Sequence, residues 1–327
     1  MEYIALLGPT GVGKTQILLD LNQQFPNVFE VVSVDSVQVF KHMNIGSAKP
    51  SQEELAKLPH HLIDVVMPHE HYDVALFCQQ AAHAIQIIRK KGKLPILCGG
   101  TMLYMKSFIQ GLSSMPQVSG TAKEIVLGYF NQGLSYAWSC LYQWDPLSAG
   151  HINRHDKQRI QRALEVYVET GMPLSTWHEH HKSPVFPKQD SHGLILGLLP
   201  KNRDQIKSRI EKRFLNMIHK GLIEECQNII ESSPVRLNLN HPSMRAIGYR
   251  QVYDFILGNI DKQTMIDKAV VATRQYAKRQ FTWLRNWTVP TQYIESPDEA
   301  KRLLADRIRR YLSAHHVPSV SDRSTVV

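Results

Sequence analysis

The segment Gly8-Pro9-Thr10-Gly11-Val12-Gly13-Lys14-Thr15 constrains this chain more than any other. It fits the phosphate-loop pattern GxxxxGK[ST]. Its context is also right: the apolar run Tyr3-Ile4-Ala5-Leu6-Leu7 reads as a buried strand before it, and the residues up to Leu21 read as a helix after it. Glycines let the backbone curl into a nest whose N–H groups point at phosphate oxygens, and the helix N-terminus adds partial positive charge. Lys14 supplies a full charge, and the Thr15 hydroxyl is suited to share in binding Mg²⁺. The motif specifies a diphosphate or triphosphate ligand and leaves the reaction open.

A strand, phosphate loop and helix in this order belong to a parallel sheet, and the rest of the chain continues the alternation. Val31-Val32-Ser33-Val34 reads as a second buried strand ending at Asp35, and Leu62-Ile63-Asp64-Val65-Val66 as a third. Residues 73–91 carry helical spacing and end in Arg89-Lys90-Lys91-Gly92, a basic last turn. Leu94-Pro95-Ile96-Leu97-Cys98 is a further strand closed by Gly99-Gly100-Thr101, and Leu194–Leu199 is one more. Polar breaks fall at 113–120 and 183–187. Between them, residues 121–181 are helical with a pause at Asp145-Pro146. Residues 203–231 and 264–284 each read as a long amphipathic helical stretch. The expected fold is α/β: a P-loop NTPase-like parallel sheet flanked by helices, with an all-helical insertion domain. The expected division is a core of 1–114 with 191–316, an insertion of 115–190, and a disordered Ser-rich tail of 317–327.

Charge divides the 327 residues further. Residues 1–150 hold 10 Lys+Arg against 11 Asp+Glu, and residues 151–327 hold 28 against 18, so the net +9 lies in the second part. A neutral front and a basic back suit chemistry in one and a polyanion partner for the other. No apolar run approaches a membrane span, and Met1-Glu2-Tyr3 lacks the basic start of a secretory signal. Cys78, Cys98, Cys140 and Cys226 form no CxxC pair. The chain is therefore expected to be cytoplasmic, with reduced cysteines and no zinc cage.

Several residues stand out as chemical candidates. Asp35 follows a buried strand, where the carboxyl ends of parallel strands face the ligand crevice, so it suits a base or metal ligand; an Asx turn or helix cap is the plainer alternative. Asp64 has the look of a second phosphate-site aspartate, but its flanking valines place it mid-strand. Gly99-Gly100-Thr101 brings backbone and a hydroxyl to another strand end. Arg209 and Arg213, four apart on one helix, could clamp an anion. Gln158-Arg159-Ile160-Gln161-Arg162 and Lys278-Arg279-Gln280-Phe281-Thr282-Trp283-Leu284-Arg285 are basic. The second mixes cations with flat rings, which suits RNA phosphates and unstacked bases. It equally describes an amphipathic helix with Phe281 and Leu284 in the core. The histidine groups at 60–61, 178–181 and 315–316 lack cysteine or carboxylate partners and read as surface or caps.

Taken together, GPTGVGKT at 8–15, VDSVQVF at 34–40, Ile45-Gly46-Ser47-Ala48-Lys49-Pro50, Gly99-Gly100-Thr101-Met102-Leu103-Tyr104, Asp156–Glu165, Arg245-Ala246-Ile247-Gly248-Tyr249-Arg250-Gln251 and the 278–285 segment resemble the bacterial tRNA dimethylallyltransferase family. The motifs keep the family's order across roughly residues 3–290. The resemblance implies a monomeric prenyltransferase. It would move a dimethylallyl group from dimethylallyl diphosphate to N6 of adenine-37, beside the tRNA anticodon. By the same resemblance the phosphate loop, which in most proteins grips ATP, holds a prenyl diphosphate with Mg²⁺. Asp35 matches the catalytic aspartate, Thr10 and Thr15 help hold the diphosphate, and Arg213 is a second cation on it. Thr101 matches a position near the target base. Asp35, Ser36, Val37, Gln38, residues 158–162, 245–250 and 278–285 are implied to meet the anticodon stem-loop, with the adenine flipped from its stack. Two departures are visible: Gln117–Lys123 lacks the acidic residue and Arg usual after Pro116, and Ser47 stands where Thr is common.

Three rival readings share parts of this pattern. A small-molecule kinase shares the phosphate loop and sheet without needing the basic back half. A transferase that prenylates free AMP shares the front half. An RNA-binding module without catalysis has no use for Lys14, Thr15 and Asp35 around one loop.

Overall fold

The computed structural model describes residues 3–113, 115–180, 184–186 and 193–314. They group into two compact units, one drawn from Met1–Ile109 and Asp190–Val327, the other from Gln110–Gln189.

The first unit opens with β1 (Ile4–Leu7), α1 (Lys14–Gln24), β2 (Phe29–Val34), α2 (Gln52–Lys57), β3 (His60–His61), α3 (Val74–Lys90), β4 (Leu94–Gly99) and α4 (Met102–Gln110). The second holds β5 (Leu112–Ser113), α5 (Gly120–Asn131), α6 (Leu134–Trp144), α7 (Pro146–His151), α8 (Lys157–Thr170), α9 (Leu174–His180) and β6 (Pro184–Phe186). The first then resumes with β7 (Leu194–Leu198), α10 (Arg203–His219), α11 (Leu222–Ser232), α12 (Tyr249–Ile256), α13 (Lys262–Arg285), β8 (Gln292–Ile294) and α14 (Pro297–Ala314).

Six strands pair in parallel in the order β3-β2-β4-β1-β7-β8. Every residue of β1 and β2 is buried, as a parallel sheet covered on both faces requires, and this explains why those strands are apolar runs without alternation. The main core joins the sheet (Ile4, Leu6, Phe29, Val31, Ile96, Leu196) to α1 (Leu18, Leu21) and α14 (Leu304, Ile308). Helix starts follow local chemistry: Asp73 caps α3, Asn202 caps α10 and Asp261 caps α13 through side-chain oxygens. The register matters most for function. Leu7 and Val34 both pair with Gly99, so the loops leaving β1, β2 and β4 emerge side by side at one edge of the sheet.

In the second unit, Val126, Ala137, Leu141, Ile160 and Leu164 form a separate core. The pause at Asp145-Pro146 is a cap. The buried Asp145 carboxylate accepts from Ser148 N at 3.0 Å and from the Ser175 hydroxyl at 2.6 Å. The unit is helical apart from one antiparallel pair, β5 with β6, which converts part of the expected break at 183–187 into a short strand.

Two further expectations are corrected. Residues 62–66 are not a strand, because Leu62 (φ 63°) and Asp64 (φ 56°) take left-handed backbone that cannot continue extended pairing. The third strand is instead His60–His61, and Asp64 is drawn to Lys49 Nζ at 2.6 Å. The 203–231 stretch is two helices, broken where Gly221 adopts φ 93°. The tail at 317–327 lies outside the described residues.

One buried charge holds the sheet edge. The Glu30 carboxylate on β2 receives Lys91 Nζ at 2.9 Å, Lys93 Nζ at 3.0 Å and His61 Nε2 at 2.8 Å. Burial pushes its pKa up, but these three partners outweigh burial and bring it down to about 2 from its ordinary 4.5. A depressed carboxylate pKa stabilises the fold above the unfolded value and is lost as pH falls toward the folded one. We expect Glu30→Gln to lower Tm near neutral pH, with the gap to the parent closing between pH 4.5 and about 2. Thermal melts across that window check it; a constant gap would show that ionisation of Glu30 contributes nothing.

Candidate active site

The phosphate loop sits between β1 and α1. Gly11 and Gly13 hold φ of 81° and 95°, the left-handed values that turn successive N–H groups toward one point. Gly13 is the N-cap of α1 and offers no side-chain cap, so the first-turn amides are left for a ligand. Lys14 folds back over the loop, its Nζ donating to Gly8 O at 2.8 Å and Pro9 O at 2.9 Å. Burial lowers its pKa to about 8, Cys98 and Asp35 oppose the drop, and Arg213 adds to it.

Asp35 stands at the end of β2 in the turn the sequence offered as an alternative. Val37 N (2.8 Å) and Gln38 N (3.2 Å) both donate to its Oδ1, leaving Oδ2 without a partner among the described residues. The Asx turn and the site role are therefore compatible, since the turn fixes the carboxylate. Burial raises the Asp35 pKa, against the pull of the two amides, Lys14 and Arg213. A half-buried carboxylate with a raised pKa and a free oxygen is suited to accept a proton.

These groups share one cavity of about 340 Å³. Its wall includes Thr10, Gly11, Gly13, Lys14 and Thr15 from the loop, and Asp35 and Gln38 from the β2 end. Gly99, Gly100, Arg209 and Arg213 complete the polar part. Gly8 and Pro9 stand behind it as acceptors for Lys14, and Val12 is packed into the core. Arg213 Nη2 donates to Thr10 Oγ1 at 2.7 Å, so the i,i+4 pair on α10 does reach the loop; Arg209 lines the cavity from a more exposed position. Thr101 lies beside the cavity and not in its wall, with Ser36 N donating to its Oγ1 at 3.2 Å. A second cavity of about 430 Å³, with Lys49, Asp64 and Lys220, shares Arg213, but it lacks the loop amides and Asp35.

Among the described residues no three His, Cys, Asp or Glu side chains gather into a metal cluster. Thr15 and Asp35 are among the oxygen donors that line the cavity. Mg²⁺ commonly takes one or two protein ligands and completes its shell with substrate phosphates and water. The donor set fits an ion shared with a bound diphosphate and does not form a cage.

The residues read as RNA contacts separate into two groups. Arg245 and Arg250 are exposed, as are Lys278, Arg279, Thr282, Trp283 and Arg285 of α13. In the insertion unit, Gln158 and Arg159 are exposed, whereas Arg162 donates to Pro116 O and Gln161 to Glu165. Ile160, Ala246, Gly248, Tyr249, Gln280, Phe281 and Leu284 are buried, and Ile247 is half-buried. The apolar side chains among them serve the cores, because an amphipathic helix must bury one face, whereas Gln280 lines the cavity. Tyr249 donates to Glu225 at 2.6 Å, and Glu225 also accepts from the amides of Asn44, Ile45 and Gly46, which fixes the loop carrying Ser47, Ala48 and Pro50 to the cavity wall.

Sequence reasoning missed part of the wall. Val31 and Ser33 lie on the Asp35 face of β2, at period two, and the signal was present in that spacing. Leu18, His60 and Cys98 also line the cavity. Tyr276 also lines it, and nothing local in the sequence marks this tyrosine off from the basic helix around it.

Comparison with known proteins agrees with the geometry. The sequence model of the IPP transferase family matches residues 38–287. A tRNA dimethylallyltransferase of Legionella pneumophila (strain Corby) is 43% identical over 284 residues, covering 86% of this chain and 88% of its own length. The crystal structure of the tRNA isopentenylpyrophosphate transferase of Bacillus halodurans is 31% identical with a TM-score of 0.64, covering 97% of this chain and 99% of its own. A eukaryotic dimethylallyltransferase described as acting on tRNA superposes with a TM-score of 0.74 at 24% identity, over 94% of this chain and 77% of its own; at that identity it speaks for the fold.

The lowered Lys14 pKa has a direct consequence. Affinity for inorganic diphosphate, measured by calorimetry, should fall as pH rises through about 8, with proton uptake on binding above that value. Lys14→Ala should bind weakly at every pH and lose this dependence. A parent profile that stays flat through that range would mean Lys14 does not meet the anion.

Proposed function

The chain belongs to the IPP transferase family, and from that premise we propose that it transfers a dimethylallyl group from dimethylallyl diphosphate to N6 of adenine-37 in tRNA, releasing diphosphate. One observation carries the reading: a single cavity holds a phosphate loop with three cations, Lys14, Arg213 and the more exposed Arg209, and one carboxylate with a raised pKa, Asp35. These cations and a nest of amides suit an anionic leaving group. A lone base suits an acceptor that must shed one proton.

In the transfer, the N6 nitrogen attacks C1 of the prenyl group as the C1–O bond breaks, and the bonding pair leaves with the diphosphate. Lys14, Arg213 and the loop amides stabilise the charge that develops on that leaving oxygen. Thr10, held by Arg213, and Thr15 orient the diphosphate. Thr15 would hold Mg²⁺ together with the substrate, and the ion would supply positive charge to the departing phosphates. Asp35 accepts the N6 proton through Oδ2, the oxygen its Asx turn leaves open. Thr101, beside Ser36, faces the acceptor side, and the exposed cations of 245–250 and 278–285 hold the anticodon stem-loop by its phosphates. The base must leave its stack to reach the cavity. No helix among the described residues is long and apolar enough to cross a membrane.

Incubation with Mg²⁺, dimethylallyl diphosphate and unmodified tRNA carrying A36-A37 tests the reading. Digestion and mass spectrometry should reveal an adenosine heavier by one dimethylallyl group. Asp35→Ala should slow transfer by about 10²–10⁴-fold while tRNA affinity stays within about threefold. Prenylated AMP with untouched tRNA would move the answer to a free-nucleotide transferase. ATP consumption without prenylation would favour a kinase. Equal loss of transfer and tRNA binding in Asp35→Ala would remove the base role.

A further inference from the structure

Helix α13 has two unlike faces. Lys278, Arg279, Thr282 and Trp283 are exposed, whereas Gln280 is only 4% exposed and is turned inward. Its carboxamide makes two directed bonds to two different loops. Thr10 N donates to Gln280 Oε1 at 2.9 Å, and Gln280 Nε2 donates to Gly100 O at 2.8 Å. The first partner is in the phosphate loop after β1, and the second is in the turn after β4. The two approach closely: a Cβ at Gly100 would overlap Gln280 Nε2, so a larger residue there would push the carboxamide aside. One turn earlier on the same face, the Tyr276 hydroxyl is hydrogen-bonded to the side chains of Gln280 and Thr101, and Thr101 in turn accepts from Ser36 N beside Asp35.

The phosphate loop and the β4 turn are therefore tied through one buried amide, and the β4 turn is tied to the loop carrying Asp35 by Ser36 N donating to Thr101 Oγ1. Strand pairing runs up to Gly99; beyond it Gly100 N and Thr101 N both donate to Val34 O at 3.2 Å, which ties the β4 turn to β2 but not to the phosphate loop. Gly8 N still reaches Gly99 O at 3.3 Å, but the next direct link between the phosphate loop and the β4 turn passes through Gln280.

We propose that Gln280 is a positioning residue for the transfer: its carboxamide sets the separation between Thr10 of the phosphate loop and Gly100 of the β4 turn, and so the distance between the diphosphate and the acceptor base. This rests on the reading of the site as a prenyl diphosphate and tRNA cavity. It also reassigns Gln280, which the sequence grouped with the RNA-contacting residues of its helix. The carboxamide is suited to the task because it donates and accepts at once from a short, rigid plane. A misplacement of about 1 Å between reacting groups can cost about 10²-fold in rate.

Two variants test this. Gln280→Met keeps the length and removes both bonds. Gln280→Glu keeps an acceptor for Thr10 N and loses the donor to Gly100 O while ionised; its neutral acid form restores an O–H donor. Gln280→Met should weaken inorganic diphosphate binding by about tenfold and lower kcat/KM for dimethylallyl diphosphate by about 10²-fold, with tRNA affinity within about threefold. Gln280→Glu should recover activity relative to the parent as pH is lowered from about 8 to about 5.5, since burial raises a carboxyl pKa, while Gln280→Met shows no such recovery. Circular dichroism and Tm establish that each variant is folded; if Gln280→Met does not fold, the pH recovery of Gln280→Glu decides alone. The proposal is overturned if a folded Gln280→Met matches the parent, if it loses tRNA binding while diphosphate binding is kept, or if Gln280→Glu shows no recovery. Diphosphate binding is measured without prenyl donor or tRNA. A parent protein that fails to prenylate tRNA, alongside a Gln280→Met that loses diphosphate affinity, would therefore sink the function and with it the role in transfer, and would show Gln280 only as a support of the phosphate loop.

Discussion

An excess of positive charge is gathered where the sheet's loops meet. Lys14 and Arg213 bring two cations to a half-buried cavity, the loop amides add partial charge, and Asp35 is the one carboxylate among its lining residues. Lys14 meets the burial cost by donating to Gly8 and Pro9 carbonyls and by lowering its pKa. Such an arrangement is balanced by an anion, and the rest of the architecture serves to hold it. The parallel register places β1, β2 and β4 so that their loops converge, and α10 and α13 supply Arg213 and Gln280 from the chain's far half. Arg213, 203 residues further along the chain, thus completes the loop at Thr10.

The same helices also explain how chemistry and recognition share a small protein. On α13 the buried stripe of Gln280, Phe281 and Leu284 serves the core and the loops, while the opposite stripe offers cations and Trp283 to solvent. A basic helix is useful to an RNA-modifying enzyme only if it is rigidly placed relative to the reacting atoms, and packing of one face provides that rigidity. The Glu225–Tyr249 pair does similar work for the 44–50 loop.

Much of this was legible in the sequence. The phosphate loop, Asp35 at a strand end, the Gly99-Gly100-Thr101 turn and the paired arginines all follow from local rules, and the structure brings them together apart from Thr101, which stands just behind the wall. What was not legible depends on long-range contact. Asp64 was placed in a strand because its neighbours are apolar, yet Lys49, fifteen residues earlier, draws it into a left-handed turn. Gln280 was grouped with its cationic neighbours because sequence adjacency cannot tell which face of a helix is buried; the period of 3.6 puts Gln280 with Phe281 and Leu284, not with Arg279. Tyr276 and the β2 face of Val31 and Ser33 join the site only once the sheet is assembled.

If the phosphate loop grips a prenyl diphosphate with its C1 carbon turned toward Asp35, a crystal structure with Mg²⁺ and a thio-linked, non-transferring analogue of dimethylallyl diphosphate will show it. The diphosphate is expected between Lys14 Nζ and the Arg213 guanidinium, with Lys14 released from the Gly8 and Pro9 carbonyls and C1 open to an amine approaching past Asp35. A diphosphate bound away from the loop, or a prenyl chain that shields C1 from Asp35, would contradict it.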